Sequence, residues 1–173
     1  MFRLSIRAFI LVLIVSFNAG RVLAGSAGEY EIKAAFLYKF AQFTRWPTPA
    51  TGQFTICVLG NNPFEEALQN LDGKKLNDVN VVTKHPDSLA DAKICQVLFL
   101  NPANRQQLKQ WQAGLQGLPI LTISDDPAGW DSEVMIIMIT EVNRIGFNIN
   151  RTAAQKVDMD FRAQLLQLAR MLR

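Results

Sequence analysis

The chain has 173 residues, 49% of them hydrophobic, with 18 Lys and Arg against 15 Asp and Glu. Three of the basic residues, Arg3, Arg7 and Arg21, lie in the first 24 positions, so the rest of the chain carries 15 charges of each sign and a formal net charge near zero. This balance, together with the lack of a basic run interleaved with aromatic residues, excludes nucleic-acid binding, and the length suits one domain with a real core.

Residues 1–24 have the pattern of a secretory signal peptide. Two arginines flank the start of an uncharged apolar run over residues 8–17, and Val22-Leu23-Ala24 supplies the small-x-small pattern that signal peptidase reads. The run is well short of the roughly 20 apolar residues that cross a bilayer, and an uncleaved signal anchor is the alternative. We therefore expect export to the periplasm, a single domain over residues 25–173, and no membrane insertion after cleavage.

The first element of the mature chain is predicted to be an amphipathic helix over residues 29–46. Its apolar residues recur three or four positions apart, as on one face of a helix: Ile32, Phe36, Phe40, Phe43 and Trp46. Pro47 has no amide hydrogen, so the helix should stop at or just before Trp46. We expect this face to pack on the core. Lys39 falls close to it and must reach water along its stem or meet a partner.

Four apolar runs separated by helical patterns predict a mainly parallel sheet. The runs are residues 54–60, 79–84, 96–101 and 119–125, and the helical patterns are residues 63–71, 88–93 and 105–115. Strands that are nearly continuous in hydrophobic residues are typical of parallel sheets covered by helices on both faces. The chain is therefore expected to form an α/β fold, a Rossmann-like three-layer sandwich.

The remaining elements are predicted to differ from this repeat. Residues 134–140 and 144–150 are joined by three residues, a link that allows only an antiparallel hairpin at the sheet edge. A capping box at Thr152 opens a short helix. A terminal helix is expected from about Asp160, with one apolar face made of Phe161, Leu165, Leu168 and Leu172.

The loops at the carboxyl ends of the parallel strands, where enzymes of this class bind substrates, offer no catalytic site. The first loop lacks a glycine-rich phosphate motif, and Glu65 and Glu66 would repel a phosphate. Asp125 and Asp126 lack the further carboxylates that a magnesium site needs. His85, the only histidine, has neither a serine elbow nor other zinc ligands beside it. We predict no enzyme activity, metal or cofactor.

The same crevice supports a second hypothesis of a different class. Asn61, Asn101 and Asp125 follow three of the predicted strands and would converge at one edge of the sheet. A periplasmic module that binds a small ligand or a cell-wall fragment could use them.

Cys57 and Cys95 are the only two cysteines. In an exported chain they are candidates for a disulfide. Cys57 lies within the first predicted strand and Cys95 at the start of the third, and these strands are neighbours if the sheet has the order 2-1-3-4. The alternative is a pair of buried free thiols that fill core space.

Six segments in order along the chain resemble the YfiR family of exported proteins. They are I-K-A-A-F-L-Y-K-F with T-R-W-P (residues 32–40 and 44–47), F-T-I-C-V-L-G-N-N-P-F (54–64), C-Q-V-L-F-L (95–100), L-T-I-S-D (121–125), N-R-I-G-F-N-I-N (143–150) and L-L-Q-L-A (165–169). Two features depart from the family. A Gly-Gly-Met-Ile run is common before the hairpin, where this chain has Ser132-Glu133-Val134-Met135, and the second cysteine pair of some members is missing.

The resemblance implies a periplasmic regulator rather than an enzyme. Members of the family dimerise and hold inactive the periplasmic sensor domain of YfiN, an inner-membrane diguanylate cyclase, until envelope or redox stress releases it. The resemblance therefore implies that this chain is a homodimer that lowers cyclic-di-GMP and biofilm formation. Any redox control would depend on Cys57 and Cys95 alone.

Candidate partner-binding residues lie at two places. Arg45 and Trp46 end the first helix, where an arginine suits the helix dipole and an aromatic ring can stay half exposed, and both residue types dominate binding hot spots. The full set of candidates adds one residue of that helix and three of the hairpin: Lys39, Phe147, Asn148 and Asn150.

Overall fold

The structure, a computed structural model, describes residues 24–142 and 144–173, with side-chain environments from Gly28 onward. The predicted signal peptide lies outside the described residues except for its last position. Within the described ranges, no helix combines the length and the apolar character needed to cross a membrane.

The described chain alternates short strands and helices. In chain order the elements are α1 (Ala24–Phe43), β1 (Thr44–Arg45), β2 (Gln53–Gly60), α2 (Glu66–Gln69), β3 (Lys75–Leu76), β4 (Val79–Lys84), α3 (Leu89–Ala92), β5 (Val97–Asn101), α4 (Arg105–Leu115), β6 (Leu121–Ser124), a 3-10 helix (Pro127–Asp131), β7 (Ile136–Glu141), β8 (Arg144–Ile149), α5 (Arg151–Gln155), β9 (Asp160–Phe161) and α6 (Ala163–Leu168).

Seven of these strands form one mixed sheet in the order β3-β4-β2-β5-β6-β7-β8. The four central pairs, from β4–β2 to β6–β7, are parallel, which confirms the predicted order 2-1-3-4. The predicted hairpin is present as the antiparallel pair β7–β8. A second antiparallel pair, β3–β4, closes the other edge, so the sheet is less parallel than predicted. β3 has two residues, too few to show a hydrophobic period in the sequence.

The sheet is covered on both faces because successive side chains of each strand point in opposite directions. On β2, Ile56 and Val58 join a core cluster with Leu37 and Phe40 of α1. Cys57 and Leu59, the intervening residues, join a second cluster with Leu108 and Leu115 of α4. Helices therefore lie on both faces of the mixed sheet.

The buried face of α1 differs in part from the predicted stripe. Phe40 lies at its centre and packs edge-on against Phe147, with ring centroids 5.0 Å apart. Ile32, however, is 52% exposed, and Lys33 is buried in its place. The helix is rotated about its axis so that Ala34, Leu37 and Ala41 share the core contact. The prediction for Ile32 was therefore wrong, because Lys33 pairs with Asp125 far away in the chain, which the spacing of apolar residues does not show.

Two short segments near the ends of the domain, β1 and β9, pair with each other as strands where the sequence predicted helix. α1 ends at Phe43, and the Thr44 hydroxyl donates a hydrogen bond to the Phe40 carbonyl oxygen at 2.7 Å. β1 then pairs antiparallel with β9, which places Phe161 in the core. The terminal helix is correspondingly shorter than predicted: α6 begins at Ala163, and Leu168 is exposed. Pairing between distant segments has overridden local helix propensity at both places.

Candidate functional site

A buried ionic cluster joins α1 to the carboxyl edge of the sheet. Only 2% of the surface of Lys33 is exposed, and its Nζ lies 2.5 Å from Asp125 Oδ2 and 2.6 Å from Glu29 Oε1. The Tyr30 hydroxyl donates to the same Asp125 oxygen at 3.0 Å, and Thr140 Oγ1 donates to Glu29 at 2.7 Å. We call these five residues the Lys33 cluster. It ties the helix to the ends of β6 and β7.

Hydrogen bonds and burial shift the pKa values of Lys33, Glu29 and Tyr30 in the Lys33 cluster. Burial disfavours the charged form of Lys33, but the hydrogen bonds to Asp125 and Glu29 outweigh it, and the pKa of Lys33 is raised. The hydrogen bonds from Lys33 and Thr140 lower the pKa of Glu29. Burial raises the pKa of Tyr30, and the charge of Asp125 raises it further. At neutral pH Lys33 and Tyr30 therefore stay protonated and Glu29 stays ionised, which suits a structural role better than acid–base chemistry.

The crevice predicted to bind a ligand is occupied by the protein's own contacts. The Asn101 side-chain amide donates to the Asn61 carbonyl oxygen at 3.0 Å, and Asp125 belongs to the Lys33 cluster. His85 is exposed, as predicted, with its Nε2 2.7 Å from the Gly60 carbonyl oxygen. Within residues 24–142 and 144–173, no three His, Cys, Asp or Glu side chains gather where a metal ion could be held. The polar groups of this edge thus bind one another.

The two cysteines form a disulfide. Cys57 in β2 and Cys95 just before β5 are bonded, with their Cα atoms 6.0 Å apart. Both are fully buried in the core cluster on the α4 side of the sheet, beside Ala92 and Leu98. The disulfide interpretation is therefore confirmed over the alternative of two free thiols.

Arg45 and Trp46 lie at an exposed corner just beyond the end of α1. The Trp46 ring packs edge-on against Phe54 with centroids 5.3 Å apart, and its Nε1 donates to the Ala41 carbonyl oxygen at 3.2 Å. The Arg45 side chain is 65% exposed, with Nη1 4.0 Å from Asp160 Oδ2. We call these two residues and Asp160 the Arg45 corner. Its aromatic ring is anchored while its guanidinium reaches into solvent.

Asp160 is shared between two arginines but is bonded mainly to one of them. Arg151 donates from Nε at 2.7 Å and from Nη2 at 2.8 Å, a fork that matches the two carboxylate oxygens. These bonds lower the pKa of Asp160 to about 2. Because Arg151 occupies both oxygens, Arg45 is left with its donors largely free.

The remaining partner-binding candidates divide between surface and interior. Lys39 is exposed on α1, and its Nζ donates to Gln42 Oε1 at 3.1 Å. The three hairpin candidates are buried instead. Phe147 packs on Phe40, and Asn150 caps α5 by accepting a hydrogen bond from the Ala153 amide at 3.0 Å. Asn148 is only 6% exposed. As partner-binding candidates these residues were expected at the surface, whereas the second half of β8, which carries Phe147 and Asn148, is buried.

A feature that sequence reasoning missed is a cavity of about 440 Å³ at the amino ends of β6 and β7. Its walls are mostly apolar and include Leu118, Met135 and Val157. Glu133 and Lys156, paired at 2.8 Å, stand at its side. Its lining comes from three separate stretches of chain, residues 112–122, 133–135 and 153–157, so no local motif could have indicated it. It lies at the edge of the sheet opposite to the predicted crevice.

Both the sequence and the fold of this chain are similar to those of known proteins. The sequence model described as YfiR/HmsC-like matches residues 30–170, a span that includes the disulfide, the Arg45 corner and every residue of the Lys33 cluster except Glu29. No curated protein matches the chain. Among solved structures, a conserved domain protein from Vibrio cholerae O1 biovar El Tor is similar, with a TM-score of 0.53 and 10% identity. The match covers 83% of this chain and 60% of that protein, and at this identity it indicates the fold alone.

Proposed function

Because the chain belongs to the YfiR/HmsC-like family, whose model matches residues 30–170, we propose that it is a periplasmic regulator of an inner-membrane diguanylate cyclase. In this proposal it binds the periplasmic sensor domain of a cyclase of the YfiN type and holds it inactive, which lowers cyclic-di-GMP and biofilm formation. The family match is the observation that carries the proposal. The geometry supports it by presenting a rigid, exposed surface at the Arg45 corner.

The Arg45 corner has the properties of a binding hot spot. Trp46 is held by its hydrogen bond to Ala41 and by Phe54, so little side-chain entropy would be lost on binding. The Arg45 guanidinium is exposed, and the fork between Arg151 and Asp160 leaves it available to an acidic group. Tryptophan and arginine together dominate the energetics of many interfaces. We propose that Arg45 and Trp46 contact the cyclase, with Lys39 as a weaker contributor.

The three hairpin candidates are buried, so they cannot contact a partner as directly as Arg45 and Trp46 can. A partner-binding role for Phe147, Asn148 and Asn150 stays a prediction, and their burial means that a partner could reach them only after a covering segment moves. The proposed homodimer likewise stays a prediction. Redox control through Cys57 and Cys95 would need the buried disulfide to become accessible first, since exchange requires direct attack on a sulfur.

The proposal can be tested in cells and by co-purification. The mature chain should co-purify with a full-length membrane diguanylate cyclase of the YfiN type, and deletion of the gene should raise cyclic-di-GMP. Complementation with Arg45→Ala should restore less repression than complementation with Lys109→Ala, an exposed residue of α4 on the other face of the sheet. Unchanged cyclic-di-GMP in the deletion strain would count decisively against a regulatory role.

The cavity favours a second candidate function, the binding of a small ligand. Its volume of about 440 Å³ falls within the range of small-molecule sites, and its apolar walls with a charged pair beside them suit an amphipathic compound. A ligand that binds the folded state should raise the melting temperature of the purified protein. Met135→Trp, which fills the cavity, should abolish that shift. A shift that persists in this variant would place the ligand elsewhere.

A further inference from the structure

The outer edge of β8 is covered by a short segment of the same chain. Residues 170–173, which we call the strap, run parallel to β8 with Leu172 beside Ile149. The Arg170 amide donates to the Phe147 carbonyl oxygen at 2.9 Å, and the Ile149 amide donates to the Met171 carbonyl oxygen at 2.9 Å. The Arg173 amide then donates to the Ile149 carbonyl oxygen at 3.1 Å. The strap thus satisfies backbone groups that an edge strand would otherwise leave open.

Two arginines hold the strap in place. The guanidinium of Arg170 pairs with Glu141, and its side chain crosses the sheet above Gly146, where a Cβ atom would lie 2.7 Å from Arg170 Cδ. Arg173 lies over the ring of Trp130, 4.7 Å from its centroid, and Nη2 donates to the Ser132 carbonyl oxygen at 2.5 Å. Backbone bonds and charge therefore position the strap.

The side-chain fit of the strap is poor. Met171 and Leu172 remain 53% and 51% exposed, so ordering them gains little hydrophobic stabilisation. Asn148 Oδ1 is buried and has no hydrogen-bond partner among the described residues. The Met171 sulfur, 3.8 Å from Asn148 Nδ2, has no proton to donate to that oxygen. A buried acceptor without a donor destabilises the folded state, so the closed strap carries a penalty that its release would remove.

We propose that the β8 edge is an interaction surface for an extended segment of another protein, which replaces the strap by strand addition. The incoming segment would run parallel to β8 and repeat the three backbone hydrogen bonds. It would carry a cationic side chain at the place of Arg170, to pair with Glu141. At the place of Met171 it would carry a side chain that both donates and accepts, such as an amide, to pair with the Asn148 amide, whose Nδ2 contacts the Met171 sulfur and whose Oδ1 has no partner among the described residues. This inference does not rest on the proposed regulation of a cyclase.

A peptide probe tests the surface directly. The probe is a fluorescein-labelled hexapeptide of residues 168–173 carrying Met171→Gln, and the controls are the unchanged and the scrambled hexapeptides. With the full mature chain, fluorescence anisotropy should show about fivefold tighter binding of the Gln-containing probe than of the unchanged peptide, as expected for one added hydrogen bond. Arg173→Ala in the protein should tighten binding of both peptides, because its own strap competes less. Equal binding of the two peptides, or no binding, would overturn the proposal.

Hydrogen exchange in the intact chain supplies a second measurement. The amide of Ile149 is protected only while the strap is closed, so Met171→Gln should slow its exchange about fivefold. Leu172→Gln, a matched change at a neighbouring exposed residue, should leave it unaltered. In an Asn148→Leu background the effect of Met171→Gln should disappear, as a double-mutant cycle requires. The same slowing in Leu172→Gln would contradict the role of Asn148.

Sedimentation separates the proposed occupant from a second copy of the chain. The peptide affinity should not depend on protein concentration if the natural occupant is another protein. A dimer that forms with rising concentration and excludes the peptide would instead assign the β8 edge to self-association and overturn the proposal.

Discussion

The Lys33 cluster and the Arg45 corner each join the region of α1 and β1 to a distant aspartate through a cation. They differ in how deeply the cation is buried and in how closely it approaches the aspartate. Lys33 is 2% exposed and bonded to two carboxylates, whereas the Arg45 side chain is 65% exposed and only 4.0 Å from one. Asp125 in the first region depends on Lys33. Asp160 in the second is already held by Arg151.

The difference shows how burial separates structural charges from available ones. A buried ion pair that loses one partner leaves an uncompensated charge, so both partners are committed to the fold. An exposed pair contributes about 0–1 kcal/mol, so its cation can exchange one acidic partner for another at little cost. A partner protein can therefore use Arg45 but not Lys33. Five predictions test this contrast.

The largest effect is expected for Lys33→Ala. The change leaves the carboxylates of Glu29 and Asp125 unpaired against α1, and the free energy of unfolding should fall by about 3–5 kcal/mol. Urea denaturation of the purified mature chain measures it. Lys39→Ala, an exposed lysine of the same helix, is the matched control and should change stability by less than about 0.5 kcal/mol. A similar loss of stability in the two variants would contradict the distinction between the buried and the exposed lysine.

The disulfide should contribute stability without contributing to partner binding. Replacing Cys57 and Cys95 together by alanine opens a loop with a sequence separation of 38, and the expected loss is about 3–4 kcal/mol. Because the bridge lies on the α4 side of the sheet, away from α1, affinity for the cyclase should be unchanged at a temperature where the variant is folded. A loss of affinity in folded protein would show that the interface extends to that face.

Arg45→Ala, by contrast, should weaken partner binding without lowering stability. We expect a loss of about 1–2 kcal/mol in the free energy of binding to the cyclase, roughly a tenfold weaker complex, because the residue supplies an exposed guanidinium at a proposed hot spot. Its stability should stay within about 0.5 kcal/mol of the parent protein. Binding is measured with the purified sensor domain, and Lys109→Ala serves as control. Unchanged binding would remove the corner from the interface.

The smallest effect is expected for Asp160→Asn and is best seen in its pH dependence. The pKa of Asp160 is lowered from 3.8 to about 2, so its ionised form stabilises the fold above pH 3.8, and this contribution is lost as the pH falls from 3.8 towards 2. Asp160→Asn should flatten this part of the stability profile and cost about 1 kcal/mol or less at neutral pH. Thermal unfolding between pH 2 and 7 measures both.

The Lys33 cluster should show the opposite dependence at alkaline pH. The raised pKa of Lys33 means that its contribution is complete below pH 10.5 and is lost as the pH rises through the pKa of the folded state. An alkaline decline in stability that disappears in Lys33→Ala would sharpen the contrast between the two regions. A decline identical in both proteins would assign it to other groups.

The sequence alone determined the features that depend on short stretches of chain. The four central strands and the hairpin followed from apolar runs and the lengths of the links between them, because a strand's period and a turn's length are local properties. The disulfide followed from two cysteines on neighbouring strands. The position of Arg45 and Trp46 near the end of the first helix was predicted because Pro47 marks where the helix must stop. Their contact with a partner stays a prediction.

Only the tertiary structure decided which side chains are covered, because burial depends on residues far away in the chain. Lys33 reads as a solvent-facing lysine until Asp125, 92 positions later, is placed beside it. The pairing of β1 with β9 and the closure of β8 by the strap likewise join segments that share no local pattern. The sequence shows where the charged residues are. Whether a charged side chain stabilises the fold or is free to bind a partner depends on how deeply other residues bury it.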